Sequence, residues 1–130
     1  MTAFIVVVLV AVSPCKLVTA PDAAAVLGGP VGKPKAQALG LYKSCTYTRG
    51  GATVTVQTRP LAKADFVKSA KANPKPVVAV PGLGAPAYFA GGFVLLAWRH
   101  GTEATFTVFG AAGKPLVAEK ALAKRALARL

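Results

Sequence analysis

The chain has 130 residues, of which 54 % are hydrophobic, and it carries 16 Lys and Arg against 4 Asp and Glu, giving a formal net charge of +12. This length accommodates one domain, and the hydrophobic content excludes a wholly disordered chain. So basic a protein is attracted to polyanions, and composition leaves three classes open: nucleic acid, anionic lipid headgroups and acidic polymers of a wall or capsule.

Residues 3–12 form an unbroken apolar run that ends at Ser13 and Pro14. The run is too short to span a bilayer, which needs about 20 residues, but it matches the apolar core of a secretory signal. We predict that residues 1–13 are a secretion leader and that residues 14–130 form a single α+β domain. Because no Lys or Arg precedes the apolar run, we also expect that the start codon is misassigned. The alternative is a buried N-terminal strand. A leader places the protein outside the cytoplasm, secreted or associated with the cell envelope.

The two cysteines, Cys15 and Cys45, allow one intramolecular disulfide. Pro14 stands directly before Cys15, where a lipoprotein signal needs a small residue in extended backbone, so lipid attachment at Cys15 is disfavoured. An exported chain oxidises such a pair, and we predict a Cys15–Cys45 disulfide. The alternative is two buried free thiols in a cytosolic protein.

The first predicted helix covers residues 19–27. Thr19 caps it, Asp22 stands three residues later as the acidic half of a capping box, and Gly28 follows its end. Residues 30–40 have the Gly, Pro and Lys content of a surface loop.

Alternation of β-branched or aromatic residues with polar ones predicts strands at residues 42–48 and 52–58, joined as a hairpin. A helical pattern with lysines on its outer face follows at residues 60–72. A short strand is then predicted at residues 77–80, and a turn-rich loop leads into residues 87–89.

Residues 93–98 (FVLLAW) are apolar at every position, which indicates a strand covered on both faces or central in its sheet. This strand pairs with residues 104–109, and residues 115–130 form a basic amphipathic helix. The order of elements predicts an α+β fold, with an antiparallel sheet of about five to six strands and the helices packed on one face.

Several segments together carry a family resemblance: CKLVTAPDAAAVLGGPV from Cys15, SCTYT around Cys45, GLGAPAY at residues 82–88, and the alanine-rich basic helix at the end. The chain resembles the actinobacterial secreted proteins and lipoproteins of domain-of-unknown-function family 3558, over most of residues 14–130. The resemblance implies export, a cysteine pair placed as these two are, and no assigned activity or catalytic residue. The chain departs from the family's lipoproteins in lacking a usable lipobox.

An enzyme is the class with least support, because each titratable group has a structural explanation. Those groups are Asp22, Asp65 and Glu119 in the first turns of helices, Glu103 at a strand entrance beside Arg99, and His100 in a turn. One histidine and a committed cysteine pair do not supply a metal site, so we predict no catalytic residue, no metal and no cofactor.

The leading hypothesis is a non-catalytic accessory or binding protein that associates with the anionic envelope, through lipid headgroups or wall polymers. The predicted anion-binding residues are Lys63, Lys68, Lys71, Lys120, Lys124, Arg125 and Arg129. For the last helix the alternative is that its cations complement the helix dipole and solvate its outer face. A second hypothesis is a sensor-like module that binds a small ligand or an exported protein partner in a groove formed by Tyr88, Phe89 and Trp98. A nucleic-acid-binding protein is a third hypothesis, disfavoured because the lysines are dispersed and lack an aromatic-basic signature.

Overall fold

The structure is a computed structural model that describes residues 12–130. Residues 1–11, which hold most of the predicted leader, lie outside the described residues. The helices are α1 (Pro14–Leu17), α2 (Ala20–Leu27), α3 (Lys63–Lys71) and α4 (Pro115–Leu127). The strands are β1 (Lys35–Leu39), β2 (Tyr42–Arg49), β3 (Ala52–Pro60), β4 (Val77–Ala79), β5 (Ala87–Ala90), β6 (Val94–Arg99) and β7 (Thr102–Phe109).

The described strands form one antiparallel sheet in the order β1-β2-β3-β7-β6-β5-β4. The α+β class is confirmed, but the sheet has seven strands, and the prediction of five to six was wrong. The additional strand is β1, which lies within residues 30–40, predicted as a loop. It is an edge strand exposed along its whole length, so it has no buried face to impose an alternating pattern on its sequence.

One face of the sheet forms the hydrophobic core. Cys45, Val56 and Phe106 are cross-strand neighbours on β2, β3 and β7, and all three are fully buried. Helices α1, α2 and α4 cover this face and add residues such as Leu17 and Leu122. Burying an aliphatic or aromatic side chain of this size contributes roughly 1.5 to 3 kcal/mol, so this layer stabilises the fold strongly.

The N-terminal segment is tied to the sheet at two places. A disulfide joins Cys15 on α1 to Cys45 on β2, with their Cα atoms 5.2 Å apart, which confirms the predicted pairing. Two residues further along β2, the hydroxyl of Tyr47 donates a 2.8 Å hydrogen bond to the carbonyl oxygen of Val18. The segment that leads into α2 therefore lies against β2.

Helix α3 does not join the other helices, so the prediction that all helices pack on one face was wrong. Its Phe66 is fully buried, with its ring centroid 5.8 Å from that of Tyr88. Tyr88 pairs with Leu96, and both alternate with the core residues of their strands, so they point to the opposite face. The indole N–H of Trp98, on this same face, donates a 2.6 Å hydrogen bond to the carbonyl oxygen of Leu61, just before α3.

The path of the chain explains the placement of α3. Strand β3 lies in the middle of the sheet and β4 lies at its edge, so their connection must cross β7, β6 and β5. On the core face, α4 already packs against β7 and β6, which leaves the other face for the crossing. The remainder of that other face, over β2, β3 and β7, is lined by partly exposed threonines such as Thr46, Thr55 and Thr107.

Candidate functional site

The predicted anion-binding residues divide into two groups on opposite faces of the sheet. Lys63, Lys68 and Lys71 are exposed on α3. Lys120 and Lys124 lie on α4, which covers the other face. A flat anionic surface therefore meets one group at a time, and the set cannot act as a single patch.

Arg125 and Arg129 are engaged by the buried carboxylate of Asp22. Arg125 donates to one oxygen of Asp22 at 2.9 Å, and Arg129 donates to the other oxygen and to the carbonyl oxygen of Leu17. Asp22 also accepts hydrogen bonds from the backbone N–H and the hydroxyl of Thr19, and the first of these is the acidic half of the predicted capping box. Burial disfavours the charged carboxylate, but the bonds from Arg129, Thr19 and Arg125 outweigh burial and hold the pKa of Asp22 well below its ordinary value. These two arginines fasten the end of the chain to α2.

This network makes a prediction for stability. We expect Asp22→Asn to lower the free energy of unfolding by about 2 kcal/mol, because hydrogen bonds to a charged group contribute about 1.5 to 3 kcal/mol and both arginines are partly exposed, which weakens their attraction. Asp65→Asn, which neutralises an exposed acid in the first turn of α3, is the control and is expected to change stability by less than about 0.5 kcal/mol. Urea denaturation near neutral pH measures both values. Equal losses in the two variants would show that the Asp22 network contributes nothing of its own.

The remaining buried acids are Glu103 and Glu119. Sequence proximity suggested Arg99 as the neighbour of Glu103, but its partner is Arg59, whose guanidinium donates to both carboxylate oxygens at 2.8 and 3.3 Å. Arg99 instead donates to the carbonyl oxygen of Leu127.

Glu119 is the residue whose role sequence reasoning missed. Its side chain is completely buried between α4 and the sheet, where one carboxyl oxygen accepts a 3.0 Å hydrogen bond from the backbone N–H of Val108 and the other has no partner among the described residues. β6 pairs with β7 only as far as Val94 and Thr107. The N–H of Val108, the next residue of β7, therefore has no partner on β6 and donates to Glu119 instead. Burial raises the pKa of Glu119 to about 8, against the smaller opposing effect of the Val108 bond. A sequence signal existed, since Glu119 lies at helical spacing from Leu122 on the buried face of α4.

The consequence for the surface is a nearly complete absence of exposed negative charge. Three of the four acids, Asp22, Glu103 and Glu119, are buried, and Asp65 is exposed. Within residues 12–130 every salt bridge uses an arginine, and no lysine takes part in one. The lysines therefore present uncompensated positive charge to the solvent.

The predicted groove of Tyr88, Phe89 and Trp98 is not present as one site. Tyr88 and Phe89 are consecutive on β5, and consecutive strand residues point to opposite faces, so Tyr88 contacts Phe66 of α3 while Phe89 lies on the core side. Trp98 shares the face of Tyr88 but is bound to the segment before α3.

An apolar cavity of about 430 Å³ lies elsewhere, at the end of the sheet where the β1–β2 and β6–β7 turns meet the last residue of the chain. Leu41, Pro60, His100 and Leu130 line it, together with Val12, the first described residue. His100 has a φ of 49°, in the left-handed region, as the first residue of a tight two-residue turn completed by Gly101. His100 therefore serves the turn, and its Nδ1 lies 3.2 Å from the carbonyl oxygen of Leu130.

Two further observations concern membranes and metals. Among residues 12–130, no helix has both the length and the apolar character needed to cross a membrane. The same residues bring together no group of three or more His, Cys, Asp or Glu side chains that could hold a metal ion.

No family model, no curated protein and no solved structure matches this chain. The resemblance to domain-of-unknown-function family 3558 stays a prediction that depends on the motifs around Cys15 and Cys45 and on residues 82–88.

Proposed function

We propose that this chain is an exported, non-catalytic accessory protein that associates with the anionic surface of the cell envelope. The observation that carries the proposal is the charge distribution: the acids are buried except Asp65, while the lysines of α3 and α4 form no ion pair with any residue from 12 to 130. The disulfide supports an oxidising compartment, because such bonds are rare in the cytosol.

The division of the lysines defines how the protein would bind. Attraction to an anionic membrane contributes about 1 kcal/mol for each Lys held near the surface, so either group alone supports weak, reversible association. Since the groups face away from each other, one face can rest on the envelope while the other stays free. The proposal therefore predicts that one helix dominates binding to a given surface.

The test compares two variants in which the lysines of one helix are neutralised. The first carries Lys63→Gln, Lys68→Gln and Lys71→Gln on α3, and the second carries Lys120→Gln and Lys124→Gln on α4. We expect one variant to lose about 10- to 100-fold in its partition coefficient on vesicles rich in phosphatidylglycerol, while the other, its control, stays within about threefold of the unmodified chain. The readout is sedimentation with vesicles at rising salt, because screening shortens the range of these charges from about 10 Å at 0.1 M to about 3 Å at 1 M.

A parallel measurement on purified wall polymer separates the two sources of negative charge, since it contains no lipid. Retention on both materials supports a general anionic surface, and retention on one identifies the relevant one. Equal retention on neutral vesicles, or retention that does not change with salt, would contradict the proposal.

A further inference from the structure

Strand β4 forms one edge of the sheet and pairs, among the described strands, with β5 alone. The N–H of Gly91 donates to the carbonyl of Pro76, and the N–H of Val80 donates to the carbonyl of Ala87. In an antiparallel pair the N–H and C=O groups of successive residues point alternately toward the neighbouring strand and away from it. Since Pro76 and Val80 point toward β5, the backbone groups of Val77 and Ala79 point away from the sheet. These groups are open to a further strand.

Two depressions flank this edge, one on each face of the sheet. The first, of about 380 Å³, is lined by Lys71, Asn73, Lys75, Val77, Ala79 and Tyr88. The second, of about 540 Å³, is lined by Lys75, Pro76, Val78, Phe89, Gly91 and Gly92. A strand that pairs with β4 would direct successive side chains alternately into the two depressions.

The chemistry of the two depressions differs. Lys71 lines the first depression only, and Lys75 lines both, with its ammonium 5.2 Å from the centroid of the Phe93 ring. Neither lysine takes part in a salt bridge among the described residues, so the first depression, with two lysines, favours a carboxylate. Apart from Lys75, the second depression is walled by apolar groups, among them Val78, which is 62 % exposed in the middle of the edge. Edge strands are ordinarily protected by shortness, charge or proline; β4 is short, at 3 residues, but holds no charged residue and no proline within it, since Pro76 and Pro81 stand at its ends.

We infer that β4 is a strand-addition site for a short extended segment of a partner protein in which acidic residues alternate with apolar ones. The main-chain groups of Val77 and Ala79 would supply affinity, and the two depressions would supply specificity. An anionic polysaccharide offers neither the matching main-chain groups nor an apolar side chain. A second copy of this chain is disfavoured, because it would bring another Lys71 and Lys75 to the same edge.

The selective variant is Ala79→Pro. Proline at position 79 removes one outward N–H of the edge and leaves the β4–β5 hydrogen bonds intact, because those belong to Pro76, Val78 and Val80. The matched control lies at the opposite edge of the sheet. The turn of Gly40 and Leu41 closes the β1–β2 hairpin at Leu39 and Tyr42, and the same alternation makes the N–H of Ala38 point outward. Ala38→Pro is therefore an equivalent substitution at the other edge.

The probe is a synthetic peptide of alternating Glu and Val, compared with its Lys–Val counterpart and with a scrambled Glu–Val sequence. We expect the alternating acidic peptide to bind in a calorimetric titration and the other two to bind at least tenfold more weakly. Ala79→Pro is expected to lose at least tenfold in affinity, and Ala38→Pro is expected to keep it. Equal effects of the two prolines, or binding of the Lys–Val peptide as tight as that of the Glu–Val peptide, would overturn the inference.

A second variant keeps the backbone unchanged. Lys71→Gln with Lys75→Gln is expected to weaken binding of the acidic peptide about tenfold and to reduce its salt dependence; unchanged affinity would overturn the role of the basic depression. Retention of Ala79→Pro on vesicles is expected to equal that of the unmodified chain, so failure of this inference and failure of the envelope proposal are separable. A concentration-dependent dimer in sedimentation that Ala79→Pro abolishes would assign the edge to a second copy and overturn the inference.

Discussion

Replacing both Cys15 and Cys45 with alanine is expected to lower the free energy of unfolding by about 3 to 4 kcal/mol. The bond links residues separated by 30 positions. In the unfolded chain it closes a loop of this size, and the conformational entropy lost there destabilises the unfolded state by about this amount. Urea denaturation of the variant and of the oxidised chain measures the difference.

Reduction of the unmodified chain provides the control. Added reductant is expected to reproduce the loss in the unmodified chain and to leave the double alanine variant unchanged. A difference below about 1 kcal/mol would show that packing of α1 on β2 needs no covalent support. In protein isolated from its host, a thiol-specific label is expected to react only after reduction, and reaction before reduction would contradict the proposed export.

Elements whose signals are local were predictable from the sequence. Helix α2 begins where Thr19 and Asp22 form a capping box, because both hydrogen bonds join residues three positions apart. The hairpin of β2 and β3 follows from period-two alternation through a glycine turn. The disulfide was predictable for a different reason, since two cysteines allow only one intramolecular pairing.

Features that depend on distant parts of the chain were not predictable in this way. β1 is a strand because β2 offers it a free edge, and nothing in its own exposed residues requires it. The face chosen by α3 depends on the place of α4, which comes much later in the chain. Arg125 and Arg129 looked like free surface cations because their partner, Asp22, is more than one hundred positions away.

The separation of Tyr88 from Phe89 follows from the sequence alone. The two are adjacent in a strand, and adjacent residues of a strand point to opposite faces, so they cannot line one groove. The same rule, applied to β4, gives the alternation that places Val77 and Ala79 beside one depression and Val78 beside the other. Pattern therefore predicts which side chains share a face, but it does not identify the strand that will lie at the edge.

The stability of the protein is expected to fall as the pH rises from about 5 to about 8, through the titration of Glu119. Burial raises the pKa of Glu119 from 4.5, its value in an unstructured chain, to about 8 in the folded protein. At pH values between these two pKa values the folded state keeps a proton that the unfolded state has released. Each unit by which the pH rises therefore lowers the free energy of unfolding by about 1.4 kcal/mol. Over the interval the contribution of this group amounts to about 4 kcal/mol. Urea denaturation at successive pH values measures the slope.

Glu119→Gln is the matched variant, because glutamine keeps the size of the side chain and a carbonyl oxygen for the Val108 N–H but does not ionise. Groups other than Glu119 titrate alike in both proteins, so the difference between the two curves isolates this carboxyl. At pH 5 the two are expected to unfold at similar urea concentrations, since both carry a neutral side chain there. By pH 8 the variant is expected to be the more stable protein by several kcal/mol. Parallel curves from pH 5 to pH 8 would mean that Glu119 is already ionised in the folded protein, and would contradict the raised pKa.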